Sequence, residues 1–331
     1  MKITLIILTH HRLELIKACL KSIENQQANP FELEIVALLN GVDDDTHDFL
    51  NKYESETSNF RFIALKQSIP VGEARNILIG KSTGEYICFI DDDVELPSNY
   101  FKTAFGIIEL NNQLDVFGGP DQMKPSSSVF QEVLSKVMGS YFAMGPTAKR
   151  HSRKHEAQAG TEINLILCNL WMKTEIFKQG YFFPEGFIRN EENILIANLE
   201  KNGKNLSYNP ELYVYHERKN SVKKLIRVTY LSGQFRTYGF FKESGTFNFI
   251  FMVPQVFLIL FLVSAICSLD IFLTYISLYL LSITLIGVLL VKDNMSPLKV
   301  ISAMQILMSY HFAYSVGQFS GYYKKLKEVL C

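Results

Sequence analysis

The chain has 331 residues, with 33 Lys+Arg against 33 Asp+Glu, so its formal net charge is zero and no global basicity points to nucleic acid as a partner. At roughly 150 residues per domain, that length allows about two domains, or one with an appendage, and a sizeable core. The five cysteines (Cys19, Cys88, Cys168, Cys267, Cys331) show no CxxC spacing and lie mostly in apolar surroundings, so they read as reduced core or membrane residues.

Ile3 to Leu8 is a continuous apolar, β-branched run, predicted as a parallel strand covered on both faces. It is too short, and too quickly followed by His10, His11 and Arg12, for a signal peptide, which predicts a cytosolic N-terminal part. Leu13, Ile16, Leu20 and Ile23 recur at helical spacing. A second strand pattern, Leu33 to Leu39, ends at Asn40-Gly41, and Asp44-Asp45-Thr46 marks a helix start before Phe49, Leu50 and Tyr53. A third strand, Phe60 to Leu65, leads to a helix opening at Val71 to Asn76. That helix closes by Gly84, before a strand at Tyr86 to Ile90. This βαβαβαβ alternation predicts an α/β fold with a doubly wound, mostly parallel sheet, whose loops at 9–12, 40–45, 72–76 and 91–93 converge on one crevice.

The last of those loops is Asp91-Asp92-Asp93. Three adjacent carboxylates repel unless solvated, partly protonated or bridged by a cation, and such hard oxygen ligands suit Mg²⁺ or Mn²⁺. A solvated acidic turn accounts for the same residues. Pro97 is expected in the first turn of a helix through Tyr100, Phe101, Phe105 and Ile108. Asp115 to Pro120 reads as a strand ending in a turn, and 124–158 as an irregular segment. Its run Lys149 to His155 is either a solvated mobile loop or a basic loop that closes over a phosphate. Arg189 to Leu199, stopped by Gly203, has helical spacing, and its Glu191-Glu192 pair suits an acidic helix N-terminus. Trp171 is the single tryptophan and reads as core or as a sugar platform.

Three segments together, ITLIILTHHR at 3–12, VGEARN at 71–76 and FIDDD at 89–93, resemble a family-2 inverting glycosyltransferase of the GT-A fold. The resemblance implies that Thr9 and Arg12 border the nucleotide base and that Arg75 and Asn76 line the nucleoside side. It also implies that Asp91 and Asp92 meet the donor, and that Asp91, Asp93 and a strand-end histidine, His216, hold Mn²⁺ or Mg²⁺. Asn169 and Trp171 resemble the family's acceptor-side segment. Glu191-Glu192 resembles its Glu-Asp-x-x-Leu motif, with Glu192 at the position of the catalytic carboxylate. Where the family shows Asp-Asn-Gly-Ser, this chain has Leu39-Asn40-Gly41-Val42, so the base-reading carboxylate is missing and Asn40 is the expected substitute.

From Ser221 the composition changes: Lys223, Lys224, Arg227, Arg236 and Lys242 interleave with aromatic and aliphatic residues, as in an interfacial segment. Residues 249–267 and 271–291 are uncharged runs, each about 30 Å long as a helix, and 300–323 is a third candidate that carries Gln305, His311 and Gln318. The basic flanks favour the cytosol, so three full spans would put the tail outside unless the third stretch lies at the interface or folds back. The expected organisation is a catalytic domain at 1–220, an interfacial segment at 221–247, a transmembrane region at 248–323 and a basic tail at 324–331. The catalytic domain is expected on the cytosolic side of the inner membrane. The implied partners are a nucleotide-diphosphate sugar, with a UDP-sugar the leading expectation, and a lipid-linked saccharide or polysaccharide acceptor. Gln234 to Tyr238 lacks Gln-x-x-Arg-Trp spacing, which argues against a processive synthase. The alternatives are a polyprenyl-phosphate sugar synthase and a membrane-anchored nucleotide-sugar-binding protein. A nucleotidyltransferase is disfavoured because Thr9 to Arg12 has no glycine.

Overall fold

The structure is a computed structural model that describes residues 1–27, 29–42 and 44–330. Asp43 in the expected 40–45 loop, and Cys331, lie outside the described residues. The chain forms two compact units, Met1–Gln122 with Ser152–Glu217, and Met123–His151 with the chain from Arg218 onward. A single cut near residue 220 therefore does not describe the division, because 123–151 belongs to the second unit.

The first unit opens with β1 (Lys2–Thr9), α1 (Leu13–Glu24), β2 (Glu32–Asn40), α2 (Asp44–Glu56), β3 (Phe60–Leu65), α3 (Val71–Ile79) and β4 (Tyr86–Asp91). It continues through β5 (Val94–Glu95), α4 (Tyr100–Leu110), β6 (Val116–Gly118) and β7 (Asp121–Met123). The excursion into the second unit contains α5 (Val129–Met138), α6 (Tyr141–Met144) and a 3₁₀ segment, Gly145–His151. The first unit then resumes with β8 (Gln158–Ala159), β9 (Leu170–Lys173), α7 (Glu175–Lys178), α8 (Glu191–Lys201), β10 (Leu206–Tyr208) and β11 (Val214–His216). Its main sheet has the order β3-β2-β1-β4-β9-β6-β10-β8, in which only β9 and β8 run against the others; β5, β11 and β7 form a small second sheet.

The uninterrupted apolar strands are explained by burial on both faces. Ile3, Leu5 and Ile7 of β1 join Ile35, Ala37 and Leu39 of β2 in one core with α1 and α4 residues, while Ile6, Val36 and Leu38 pack with Ala74, Leu78 and Leu195 in the other. Pro97 lies outside α4: its carbonyl accepts from the Tyr100 amide, so a turn at Ser98-Asn99 separates it from the first helical residue. The 124–158 segment is less irregular than expected. Ser128 and Gln131 build a reciprocal capping box that starts α5, and Arg150 and His151 are buried, which rules out a fully solvated loop there.

The second unit continues as α9 (Val222–Phe240), α10 (Val253–Cys267), α11 (Leu269–Val291), α12 (Pro297–Met308) and α13 (Tyr314–Leu330), the last two joined by a π-helical turn, Ser309–Ala313. Val133, Leu134 and Val137 of α5 share an apolar cluster with Leu225, Ile283, Ala303, Ile306 and Leu307. Lys299 of α12, nearly buried, closes on Glu132 of α5 at 2.9 Å. Helices α9 and α13 touch backbone to backbone: a Cβ on Gly317 would lie 2.0 Å from the Tyr230 carbonyl oxygen. Two runs, Phe249–Cys267 and Leu269–Asn294, are long and apolar enough to cross a membrane, and few of their residues are buried. The third stretch, 300–323, does not qualify among the described residues; it lies in the α12 to α13 run, where Gln318 is wholly buried and donates to the Phe251 carbonyl.

Candidate active site

Parallel pairing sets Leu8 of β1 opposite Asp91 of β4, so the loops leaving these two strands are neighbours by register. Thr9 Oγ1 donates to Asp92 Oδ2 at 2.7 Å, and Arg12 Nη1 reaches Asp92 at 2.9 Å and Asp93 at 3.2 Å. Arg12 remains 44% exposed at its side chain, whereas Thr9 and Asp92 are buried. Thr9 and Asp92, both expected at the nucleotide, are bonded to each other here and pin the two loops together. Burial and the adjacent Asp93 charge push the Asp92 carboxyl up to about 6.

Arg75, in the second turn of α3, is buried with one ion pair in each direction: Nη2 to Asp91 Oδ1 at 3.0 Å and Nη1 to Glu191 Oε1 at 2.5 Å. This guanidinium, expected on the nucleoside side, ties the end of β4 to the start of α8, 116 residues from itself in sequence. Burial raises the Glu191 carboxyl to about 7 against the pull of Arg75, and its Oε2 has no hydrogen-bond partner among the described residues. Glu192, the next residue, is only half-buried. Among the described residues, the two non-glycine positions with positive φ are His11 (53°) and Asn190 (61°). One lies in the β1 loop and the other caps α8, so local backbone strain coincides with both sides of the site.

Asn40 and Asn76, both expected at the nucleotide, hold backbone in this structure. Asn40 receives the Ile69 amide on Oδ1 and donates Nδ2 to the Ile69 carbonyl, both at 2.9 Å; it is buried and clasps the backbone before α3. Asn76 clasps Phe183 in the same two-sided way, at 2.9 and 3.1 Å. A carboxamide matches a backbone amide in both donor and acceptor, which is why each serves as a loop anchor. Asn169 and Trp171 are corrected as well, because both are fully buried and present nothing to an acceptor. Trp171 stacks on Phe117 and donates to the Tyr100 hydroxyl at 2.9 Å, which in turn donates to Asn169 Oδ1 at 2.7 Å.

His216 ends β11 beside Val94 of β5, and the Glu217 amide donates to the Asp93 carbonyl. Its Nε2 lies 3.1 Å from Asp93 Oδ1 and its Nδ1 2.7 Å from Asp121 Oδ2. Burial alone would lower this imidazole, but Asp93 and Asp121 outweigh it and lift His216 to about 9. The two carboxylates thus favour the charged imidazole, and Arg12 adds a second positive group at Asp93. Asp93 and His216 bring a carboxylate oxygen and a ring nitrogen within 3.1 Å of each other, donor types that suit Mn²⁺ or Mg²⁺, whereas Asp91, expected beside them, is paired with Arg75. Asp121 is the residue that sequence reading missed. It is a single acid after Gly118-Gly119-Pro120, with no acidic neighbour or periodicity to mark it.

The glycosyl transferase family 2 model matches residues 4–178. A GalNAc(5)-diNAcBac-PP-undecaprenol beta-1,3-glucosyltransferase from Campylobacter jejuni is 29% identical over 200 residues, covering 55% of this chain and 62% of that protein. A teichoic acid poly(glycerol phosphate) polymerase from Staphylococcus epidermidis is 26% identical over 194 residues, covering 58% of this chain and 24% of that protein. The chain thus spans less than two thirds of either relative. Among solved structures, the mannosyltransferase PcManGT from Pyrobaculum calidifontis, in complex with GDP-Man and Mn²⁺, superposes with a TM-score of 0.64 at 15% identity, covering 96% of this chain and 87% of that one. TarS 1–349 from S. aureus, in complex with UDP-GlcNAc, gives 0.52 at 17% identity, covering 98% and 92%. These two likenesses support the GT-A-like α/β fold with its mainly parallel sheet. With the family model matching more than half of its 331 residues, the chain belongs to glycosyl transferase family 2.

Proposed function

We propose that this protein transfers a hexosyl unit from a nucleotide-diphosphate sugar to a hydroxyl of a lipid-linked or polysaccharide acceptor, with inversion at the anomeric carbon. The observation that carries the reading is the Arg75 bridge, which joins the Asp91 carboxylate to the Glu191-Glu192 helix start. Inverting transfer needs a cationic environment for the departing diphosphate and a carboxylate that takes the acceptor proton from the opposite face.

In this proposal Asp91, Asp93 and His216 would hold a divalent cation, which supplies charge neutralisation for the leaving diphosphate. Arg12, half-exposed at the rim, adds a positive charge on the same side. Glu192 receives the acceptor hydroxyl proton. Glu191, buried and held by Arg75, would leave its ion pair only at the cost of one of that guanidinium's two carboxylates, so it orients the helix start instead. Support for the acceptor class comes from the relatives' names, which include a transferase to an undecaprenol-linked saccharide and a teichoic acid polymerase. Helices α10 and α11, with mostly exposed apolar faces, would be embedded in the cytoplasmic membrane and bring the cytosolic site to such an acceptor.

The test is product analysis: purified protein with a panel of UDP- and GDP-sugars and a membrane lipid extract, read by mass spectrometry and by the anomeric configuration of the product. A new glycolipid of inverted configuration is expected. Nucleotide-sugar binding with no transfer to any acceptor fraction, or a retained configuration, would overturn the reading.

A further inference from the structure

We propose that Asp121 is a positioning residue that fixes the tautomer of His216 so that Nε2 presents its lone pair to the cation position beside Asp93. The inference rests on the reading of Asp93 and His216 as cation ligands.

A neutral imidazole has one N–H and one lone pair, and the partner of one nitrogen decides the role of the other. Asp121 is fully buried, and its carboxylate only accepts, so the 2.7 Å contact to Nδ1 requires the hydrogen there. The other nitrogen, Nε2, faces Asp93 Oδ1 at 3.1 Å and without a cation carries a hydrogen too; a cation beside Asp93 would take the place of that proton, and Asp121 keeps the remaining hydrogen on Nδ1. Metal-binding histidines recurrently donate their other N–H to a carboxylate in this way, which orients the ring and raises its basicity.

The surrounding chain is built to hold Asp121 at this point. A Cβ on Gly119 would fall 1.9 Å from the Leu212 carbonyl oxygen, so only glycine allows the backbone before Asp121 to pass the approach to β11. Asn169 Nδ2 donates to the Leu212 carbonyl at 2.5 Å and to the Pro120 carbonyl at 3.4 Å, clamping the residue before Asp121 to the loop before β11. The fully buried amide that sequence reading assigned to the acceptor thereby supports Asp121 and His216 together.

Cys168 is the competing ligand. Its Sγ, a carboxylate oxygen of Asp121 and a ring nitrogen of His216 all lie within 4.8 Å of one another. A thiolate-containing set of this kind would favour a softer cation.

The experiment is Mn²⁺ titration of the full-length, detergent-extracted protein, with free Mn²⁺ read by electron paramagnetic resonance. Asp121→Asn substitutes an amide that can donate as well as accept and so no longer dictates the tautomer. The Mn²⁺ Kd is expected to rise by roughly 10- to 100-fold in the folded variant. Unchanged Mn²⁺ affinity in folded Asp121→Asn, with wild type binding normally, would overturn the role of Asp121 alone. Wild type that binds no Mn²⁺ would overturn the cation reading itself. If the variant does not fold, ¹⁵N NMR of the Mg²⁺-loaded wild type decides, with His216 identified by its loss in His216→Gln. Hydrogen on Nδ1 is expected, and hydrogen on Nε2 would overturn the proposal. A thiolate-to-Co²⁺ charge-transfer band in the Co²⁺-loaded protein, absent from Cys168→Ala, would overturn it too, by assigning the cation to the Cys168 set.

Discussion

Glu191 and Glu192 are adjacent in sequence yet chemically unlike, because the first turn of α8 aims one inward at Arg75 and leaves the other half-buried. Glu192→Gln preserves size but cannot take a proton, so transfer should fall by roughly 10²- to 10⁴-fold while donor affinity, measured by calorimetry, stays near wild type. An equal loss in donor affinity would instead mean a binding role. Arg75→Met should act on stability, since it strands Glu191 in the core beside an unpaired Asp91. A loss of about 3–5 kcal/mol, read from urea midpoints, is expected for a broken buried pair. A loss below about 1 kcal/mol, the range of an exposed pair, would show the bridge to be loose.

The elements around the site are held by hydrogen-bond anchors that no periodicity reveals. Glu34 of β2 accepts from Thr4 of β1 at 2.6 Å and from Thr83 before β4 at 2.9 Å, fastening three neighbouring segments of the sheet. Burial would raise this carboxyl, but the hydrogen bonds from Thr4 and Thr83, with Arg61, bring it below its ordinary value. The folded state then favours the ionised form. This contribution is present above the ordinary carboxyl range and is lost as pH falls through the lowered folded value. Melting temperature should therefore drop from pH 6 towards pH 3 more steeply in wild type than in Glu34→Gln, and parallel curves would refute the anchor. In the helical unit, Gly317→Leu forces α9 and α13 apart, because even a Cβ would meet the Tyr230 carbonyl at 2.0 Å. Overpacking of this kind costs about 1–3 kcal/mol, and thermal unfolding in detergent should show it.

For the whole molecule, the interleaved units change what truncation does. Cutting after Glu217 removes the helices that cover α5, leaving Val133, Leu134 and Val137 without Leu225, Ile283, Ala303, Ile306 and Leu307. The 1–217 fragment should bind the dye ANS and aggregate, whereas a fragment in which 123–151 is also replaced by a short linker should be better behaved. Equal solubility of the two would mean that α5 needs no cover. The intact chain should remain in the pellet after carbonate extraction of membranes, given its two long apolar helices, and release into the supernatant would exclude an integral anchor.

By itself the sequence determined the strands β1 to β4, the helices between them and the acidic turn, because strand burial on two faces and helical spacing are local patterns written in consecutive residues. It also marked the Glu191-Glu192 pair and the two apolar runs, since clustered charge and uninterrupted hydropathy need no partner to be seen. Only the tertiary structure decided what the polar residues do. Asn40, Asn76 and Asn169 have the chemistry of ligand contacts and the environment of backbone clasps, and no amide announces its partner. Arg75 and Asp121 gain their meaning from Glu191 and His216, each about a hundred residues away, and such distances close only when the chain folds. The assignment of α5 to the second unit has the same cause: an apolar helix face shows that it needs cover, but not which segment of the chain supplies it.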